Sequence, residues 1–311
     1  NKYIIMNKNK LENTQSIGMI VNTIKGDPAD ILSEIKAILK RHKIKPIIID
    51  YDISSYQNIN KARKILKDVS MLISIGGDGT LLSALKIAIK YNISVLPIYN
   101  GSLGFISEIP PEEAYFILEE YLNNKKSLYE IESRTLLEVR LSKSNLKDNI
   151  KENLKTKIYL AVNELVLSKC DGRAIYIDVS IENKTVSSIV GDGVVIATPT
   201  GSTAYALSAG GPVLAPTIDA ISFVPIAPHS LTFRPLVIPK GDVIELKLSK
   251  KYSGENPIKS KAMVTIDGYD ICKFENNDIL KAEISEKHCY IFQSAKRLFY
   301  DILRNKLKWG R

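Results

Sequence analysis

"VSMLISIGGDGTLLSALKIAI" (residues 69–89) sets an aliphatic run against a glycine turn and then a helix-period stripe. Residues 69–75 carry Val, Met, Leu and Ile almost without interruption, the composition of a strand covered on both faces. Leu81, Leu82, Leu85, Ala88 and Ile89 then recur on one helical face. Between them Gly76, Gly77 and Gly79 remove each Cβ that would keep another molecule off the main chain, and Asp78 sits in their midst. A strand that passes through such a turn into a helix is half of a βαβ unit. The carboxyl edge of the resulting parallel sheet is where open α/β folds bind ligands.

The same grammar extends outward. "SIGMIV" (16–21), "KPIIID" (45–50) and "ISVLPIY" (93–99) read as further buried strands. Ile31, Leu32, Ile35, Ile38 and Leu39, and later Ala114, Ile117, Leu118, Tyr121 and Leu122, read as helix faces. From about Thr135 the period changes to two. In "RAIYIDVSIE", Ile175, Ile177, Val179 and Ile181 alternate with polar residues and Tyr176; "DVIELKLS" does the same with Ile244, Leu246 and Leu248. The chain therefore predicts an α/β N-terminal domain with a parallel sheet (1–127), followed by a mainly antiparallel β domain (128–292). A last amphipathic stretch with Ala295, Leu298, Phe299, Ile302 and Leu303 is expected to form a helix that packs back on the first domain, which then includes 293–311.

With 311 residues, 45% of them apolar and 25% charged, the chain has the composition of an ordinary soluble protein of one or two domains. No apolar run is long enough for a membrane span, and the opening "NKYIIMNKNKLENTQ" reads as a loose arm rather than a secretory leader. Cys170, Cys272 and Cys289 form no C-x-x-C pair, so neither zinc nor a disulfide framework is suggested, and the cytoplasm is expected. The formal charge of +9 is scattered, and its densest run, residues 142–157, is mixed with acids and asparagine like a solvated loop. No nucleic-acid partner is expected; a small polyanionic ligand is.

Free amides at the start of a helix favour phosphate. An acid at that point either caps the helix or serves phosphoryl transfer, as acceptor of a hydroxyl proton or indirect partner of Mg²⁺; for Asp78 both readings stand. There is no G-x-x-x-x-G-K-[ST], and "GDGVVI" (191–196) lacks the third glycine of a dinucleotide fingerprint, which excludes a P-loop enzyme and disfavours a Rossmann dehydrogenase. The second constellation is "GDGVVIATPTGSTAYALSAGGPVLAP" (191–216). Thr200, Ser202, Thr203 and Tyr205 gather hydroxyls and a ring into one turn, an inventory suited to a nucleobase edge and face. Ser202 lacks the G-x-S-x-G elbow of a serine hydrolase, and capping by Ser202 or Thr203 is the simpler alternative.

Together "GGDGT" (76–80), "NGSLGF" (100–105), "NE" (163–164), "TPTGSTAYALSAGGP" (198–212) and "PHSLTFRPLVIP" (228–239) resemble NAD kinases, in the family's order. "GGDGT" alone is shared with diacylglycerol and sphingosine-type lipid kinases; the second run is far more specific. The resemblance implies phosphorylation of the 2′-hydroxyl of the adenosine ribose of NAD to give NADP, with ATP or polyphosphate as donor. It also implies Mg²⁺ or another divalent cation, and a homodimer or homotetramer. On it, Asp78 matches the proton acceptor, with Gly76, Gly77, Gly79 and Thr80 around it in the nucleotide site. Asn163 and Glu164 match the pair holding a ribose, and Arg173 and Asp192 match positions lining the site. Thr203, Ala204, Tyr205, Ala206, Leu207 and Ser208 match the base-binding turn, and Ala227 a pocket residue. Phe105 reads equally as pocket floor or core, and His229 as structural. His42 and His288 carry no sign of a ligand role. Two positions depart from the family: Tyr99 stands first in the N-x-G-x-L-G-F pattern, and Tyr269 replaces the glutamine of Asp-Gly-Gln in the nucleotide site. The alternative is a lipid kinase of the diacylglycerol kinase type; a non-catalytic sensing module would be expected to lack Asp78.

Overall fold

A computed structural model describes residues 15–23, 26–49, 66, 69–101, 103–144, 155–249 and 261–309. The N-terminal arm up to residue 14 and the middle of the 142–157 run lie outside the described residues. The chain divides into two compact units, one made of Asn1–Arg134 with His288–Arg311 and the other of Thr135–Lys287.

The first unit runs β1 (Ser16–Val21), α1 (Ala29–Arg41), β2 (Lys45–Ile49), β3 (Val69–Ile75), α2 (Asp78–Tyr91), β4 (Ser94–Ile98) and α3 (Pro111–Leu122). The strands are parallel in the order β2-β1-β3-β4. β4 is flanked in turn by the second half of a long strand, Ile279–Ser294, parallel to it at Tyr290 and Ile291. β3 and β4 are buried along their whole length, as the unbroken aliphatic runs predict. β2 corrects one expectation: it is the outer strand among the described residues, and Ile48 is 57% exposed. α2 exceeds another, because Ala84 and Ile87, apolar residues off the stripe, are buried as well. A helix apolar on most sides is covered on most sides.

The core of this unit gathers Ile17, Ile35, Leu39, Ile73, Leu96 and Ile117 with three rings. Phe292 stands 5.4 Å from Tyr121 and 5.0 Å from Tyr129 between centroids, packing at tilted and edge-on angles that aromatic quadrupoles favour. The final helix covers Phe299–Leu307 and belongs to this unit. It starts later than the stripe suggests. Leu298 is extended, its N–H donates to Asp301 Oδ2 at 3.2 Å, and Ala295 lies outside the helix, exposed.

In the second unit, β12 (Leu236–Pro239), β11 (Ala220–Ile226), β10 (Gly193–Ala197), β7 (Glu164–Lys169), β14 (Ala262–Ile266) and β15 (Tyr269–Phe274) form one antiparallel sheet in that order. β5 (Tyr129–Lys143) pairs antiparallel with β6 (Lys155–Ala161), and β13 (Ile244–Leu248) with β8 (Ile175–Ile181), which pairs with β9 (Lys184–Gly191). Ile175, Ile177 and Val179 of β8 are buried while Tyr176 and Asp178 are not, the alternation its sequence shows. The fold is thus an α/β unit with a mostly parallel sheet and a mainly antiparallel β unit.

Candidate active site

In the first unit the glycine turn begins where β3 ends. Gly76 N–H donates to the Ile98 carbonyl at 2.9 Å, and its φ of +151° brings the backbone against the Thr80 side chain. Thr80 is buried and accepts from Asn22 Nδ2 at 3.3 Å. Gly77 and Gly79 behave differently: a Cβ at either would meet no atom within 4 Å. The backbone is therefore open to a ligand at those two positions and closed by the protein's own packing at Gly76.

α2 starts at Asp78 with Gly77 as its cap residue, and no side chain caps it. The capping reading of Asp78 fails, because its carboxylate points elsewhere. Oδ2 accepts the Phe105 N–H at 2.9 Å; Oδ1 accepts those of Ile106 at 3.2 Å and Ser107 at 2.9 Å. Gly104 makes this approach possible, since a Cβ there would collide with Asp78 Oδ1. Ser107 Oγ donates to the Gly76 carbonyl at 3.0 Å, and Gly104 N–H to the Ser107 carbonyl at 2.9 Å. Turn 76–80 and loop 104–107 are in effect one hydrogen-bonded piece. Oδ2, with a single donor among the described residues, retains a lone pair for a further partner. Phe105 is half-buried, and the Lys306 ammonium stands 5.8 Å from its ring centroid.

Just past this loop lies a polar cluster that the sequence did not reveal. Glu108 is 2% exposed. Arg297 Nη1 donates to its carbonyl, and Arg297 Nη2 reaches Glu113 Oε2 at 3.1 Å. The Gln293 amide, oriented with its nitrogen toward Glu108, donates to that carboxylate and accepts from Arg134 Nη2 at 3.0 Å. Burial pushes the Glu108 carboxyl up to about 7, opposed by the charges of Arg297 and Arg134.

In the second unit the turn after β10 is built on the segment 162–164. Thr198 N–H donates to the Asn163 carbonyl at 2.9 Å and Thr198 Oγ1 to the Val162 carbonyl at 2.6 Å. Gly201 lies so close to the Asn163 carbonyl that a Cβ would strike it. From the other side the carboxylate of Asp267 accepts N–H bonds from Val162, Asn163 and Glu164 at 3.0, 2.7 and 3.2 Å. Asn163 and Glu164 are themselves buried, and Asn163 Oδ1 has no hydrogen-bond partner among the described residues.

The turn sorts its predicted residues into two kinds. Ser202 is fully buried; Oγ donates to the Pro199 carbonyl at 2.6 Å and accepts the Leu214 N–H at 2.9 Å. Ala206 is fully buried in a cluster with Val166, Val195, Ala197 and Val224, and Thr200 is also buried. These residues shape the turn from inside. Tyr205 is 45% exposed, Ser208 is exposed, and Thr203, Ala204 and Leu207 are half-exposed. Thr203 Oγ1 donates to the Thr200 carbonyl at 3.1 Å, so a ligand would compete for or share that hydroxyl.

Of the remaining candidates, Asp192 pairs with Lys169 at 2.6 Å, and Arg173 is exposed on a short turn. Ala227 is exposed with φ +42°, strained for a residue with a Cβ. Tyr269 is half-buried and follows the Asp267-Gly268 turn, whose φ values are +46° and +77°. His229 is exposed, its backbone N–H donating to the Val190 carbonyl at 2.8 Å, and His42 contacts Glu119 at 2.7 Å. Among the described residues no group of three or more His, Cys, Asp or Glu could hold a metal ion, and no helix is long and apolar enough to cross a membrane.

A family model described as the ATP-NAD kinase N-terminal domain matches residues 4–126, and one described as the ATP-NAD kinase C-terminal domain matches 162–294. The NAD kinase of Sulfurimonas denitrificans is 35% identical over 80% of this chain and 80% of its own length. That of Aquifex aeolicus is 34% identical over 88% of this chain and 96% of its own. Among solved structures, yeast NADH kinase complexed with NADH superposes with a TM-score of 0.81 at 23% identity, covering 96% of this chain and 88% of its own. An Archaeoglobus fulgidus NAD kinase in complex with ATP gives 0.65 at 23% identity, covering 94% of this chain and 97% of its own.

Proposed function

The chain belongs to the NAD kinase family and is a kinase acting on NAD, and from that premise we propose how its residues divide the work. No finding supports the lipid-kinase alternative. The reaction proposed is transfer of the terminal phosphoryl group of ATP, or of polyphosphate, to the adenosine-ribose 2′-hydroxyl of NAD. The 2′-oxygen bonds to phosphorus, the bridging P–O bond breaks with its electron pair leaving on the donor, and the hydroxyl gives up a proton.

The observation that carries the assignment of Asp78 is its carboxylate, fixed by three main-chain N–H groups beside a backbone left open at Gly77 and Gly79. Phosphoryl transfer is mostly positioning, so an acid held this firmly is suited to receive the hydroxyl proton on the free lone pair of Oδ2. Gly76 and Thr80 maintain the turn's shape, and its helix-start amides suit phosphate. Tyr205, the exposed ring of its turn, offers a stacking face, with Thr203, Ala204, Leu207 and Ser208 beside it. Asn163 and Glu164, fixed by Asp267, hold ribose hydroxyls. Arg173, Asp192, Ala227 and Tyr269 are assigned to nucleotide contacts in the second unit, with Ser202, Thr200 and Ala206 supporting the turn there, and Phe105 to those beside Asp78 in the first.

The acidic groups present do not build a resident metal site among the described residues, so a divalent cation such as Mg²⁺ would enter on the donor's phosphates, where it neutralises charge. The ATP and NADH in the two similar structures support nucleotide substrates. Three free cysteines suit a reducing cytoplasm. Leu231, 87% exposed, and Leu236 and Val237 of outer strand β12 suit contact with a second copy, as in a homodimer or homotetramer. The test is to incubate the purified protein with NAD, Mg²⁺ and either ATP or polyphosphate and to assay NADP. NADP with one donor is expected; none with either would overturn the proposal.

A further inference from the structure

Loop 104–107 is held at one end by Asp78, and the residue that follows it is held by something the reaction does not need directly. Glu108 comes immediately after Ser107, whose N–H is bound to Asp78 Oδ1 at 2.9 Å. Its carbonyl accepts from Arg297 Nη1. Arg297 is in turn fixed by Glu113 Oε2 at 3.1 Å, and Glu113 Oε1 accepts from Ser294 Oγ. The Glu108 side chain is buried against Gln293 and Arg134. Glu108, Arg134 and Ser294 are buried; burying charged and polar groups is costly, and apolar side chains of similar volume commonly serve stability as well or better. What the arrangement supplies is a fixed address for the Glu108 main chain, one residue from the Asp78 anchor. A second contact works in the same direction, the Lys306 ammonium over the Phe105 ring.

We propose that Arg297 is a positioning residue for Asp78: by tying the Glu108 carbonyl to Glu113, it holds loop 104–107 where its amides can fix the Asp78 carboxylate. The proposal rests on the catalytic reading of Asp78 given above. Arg297 touches neither Asp78 nor the open backbone at Gly77 and Gly79 in the described contacts, so its effect is on the geometry of the acid and not on its chemistry. Small misplacements of a reacting group are expensive in rate while leaving ligand affinity little changed.

The experiment compares the full-length protein with Arg297→Ala and Arg297→Lys by steady-state kinetics and by amide hydrogen exchange. For Arg297→Ala we expect kcat to fall about 10- to 100-fold with KM for NAD changed by less than about threefold. Exchange at Phe105, Ile106 and Ser107 should quicken by about tenfold or more while the amides of β3 stay slow, which separates loop release from general unfolding. Arg297→Lys keeps one donor and should recover part of both effects. Unchanged exchange at 105–107 would overturn the tie, and faster exchange with wild-type kcat would overturn its role in positioning. Should Arg297→Ala fail to melt cooperatively, Glu113→Gln weakens the same tie and is read by the same criteria. The exchange measurement needs no turnover. A protein that makes no NADP would sink the catalytic reading and still report whether Arg297 holds the loop.

Discussion

Asparagine at position 78 would keep the size of aspartate but turn one carboxylate oxygen into an N–H₂ donor, and each oxygen of Asp78 already receives main-chain N–H. Asp78→Asn therefore sets donor against donor in the loop as well as removing the proton acceptor. We predict a fall in kcat of about 10²–10⁴-fold for Asp78→Asn, the usual worth of general-base assistance, with some loss of melting temperature from the broken anchor. Gly104→Ala separates the two effects, because it leaves the acid in place and forces its Oδ1 aside. Its kcat should fall by about tenfold or more if the pinned geometry matters. Wild-type kcat in Gly104→Ala would show that the chemistry tolerates a loose Asp78. Sequence alone made the turn legible, and Asp78 within it. It could not show where the carboxylate points, since the three amides lie 27 to 29 residues further along the chain. Spacing rules see a helix cap within a turn or two and nothing at that range. Ser202 shows the same limit: a serine in a polar turn looks available, and only packing shows both its partners to be internal.

Among elements, the segment joining β4 to α3 meets the end of the strand Ile279–Ser294 at Glu108, whose carboxyl is pushed up to about 7 from 4.5. The groups facing it are Arg297, Arg134, Glu132 and Gln293. The folded protein thus holds this proton more tightly than the unfolded chain. The resulting stability is fully present below about pH 4.5 and is lost as pH rises toward 7. The shift corresponds to about 3 kcal/mol across that window. Glu108→Gln carries no titrating proton, so we predict a flatter stability profile between pH 5 and 8 by urea unfolding. Parallel profiles for the two proteins would show that Glu108 ionises as it does in water. Element types were largely legible: unbroken aliphatic runs became covered parallel strands, and period-two runs became half-buried antiparallel ones. β2 misled because "KPIII" is as aliphatic as an inner strand, and its outer place depends on which strands pair, which no local pattern states.

For the whole molecule, the formal charge of +9 bears on substrates that are themselves polyanions. Raising NaCl from about 0.05 to 0.5 M shortens the screening length severalfold, so we predict that KM for ATP rises by about threefold or more with little change in kcat. KM for NAD, the less charged ligand, should respond less. A flat KM for ATP would mean that contacts at the site, not the surrounding field, set its affinity. The two-part organisation was legible from the change of period near residue 135, but the units do not part at a linker. The chain leaves and re-enters the first unit inside regular strand, at 134 and 288, so no run of glycine, proline or charge marks the places. That path has a bearing on how the protein is made. Phe292 completes the ring cluster with Tyr121 and Tyr129, yet it is translated after the whole of the second unit. The second unit is contiguous in sequence. The first cannot complete its aromatic core until residues beyond the second unit have been made, so the N-terminal portion, though made first, depends on the last part of the chain to finish folding.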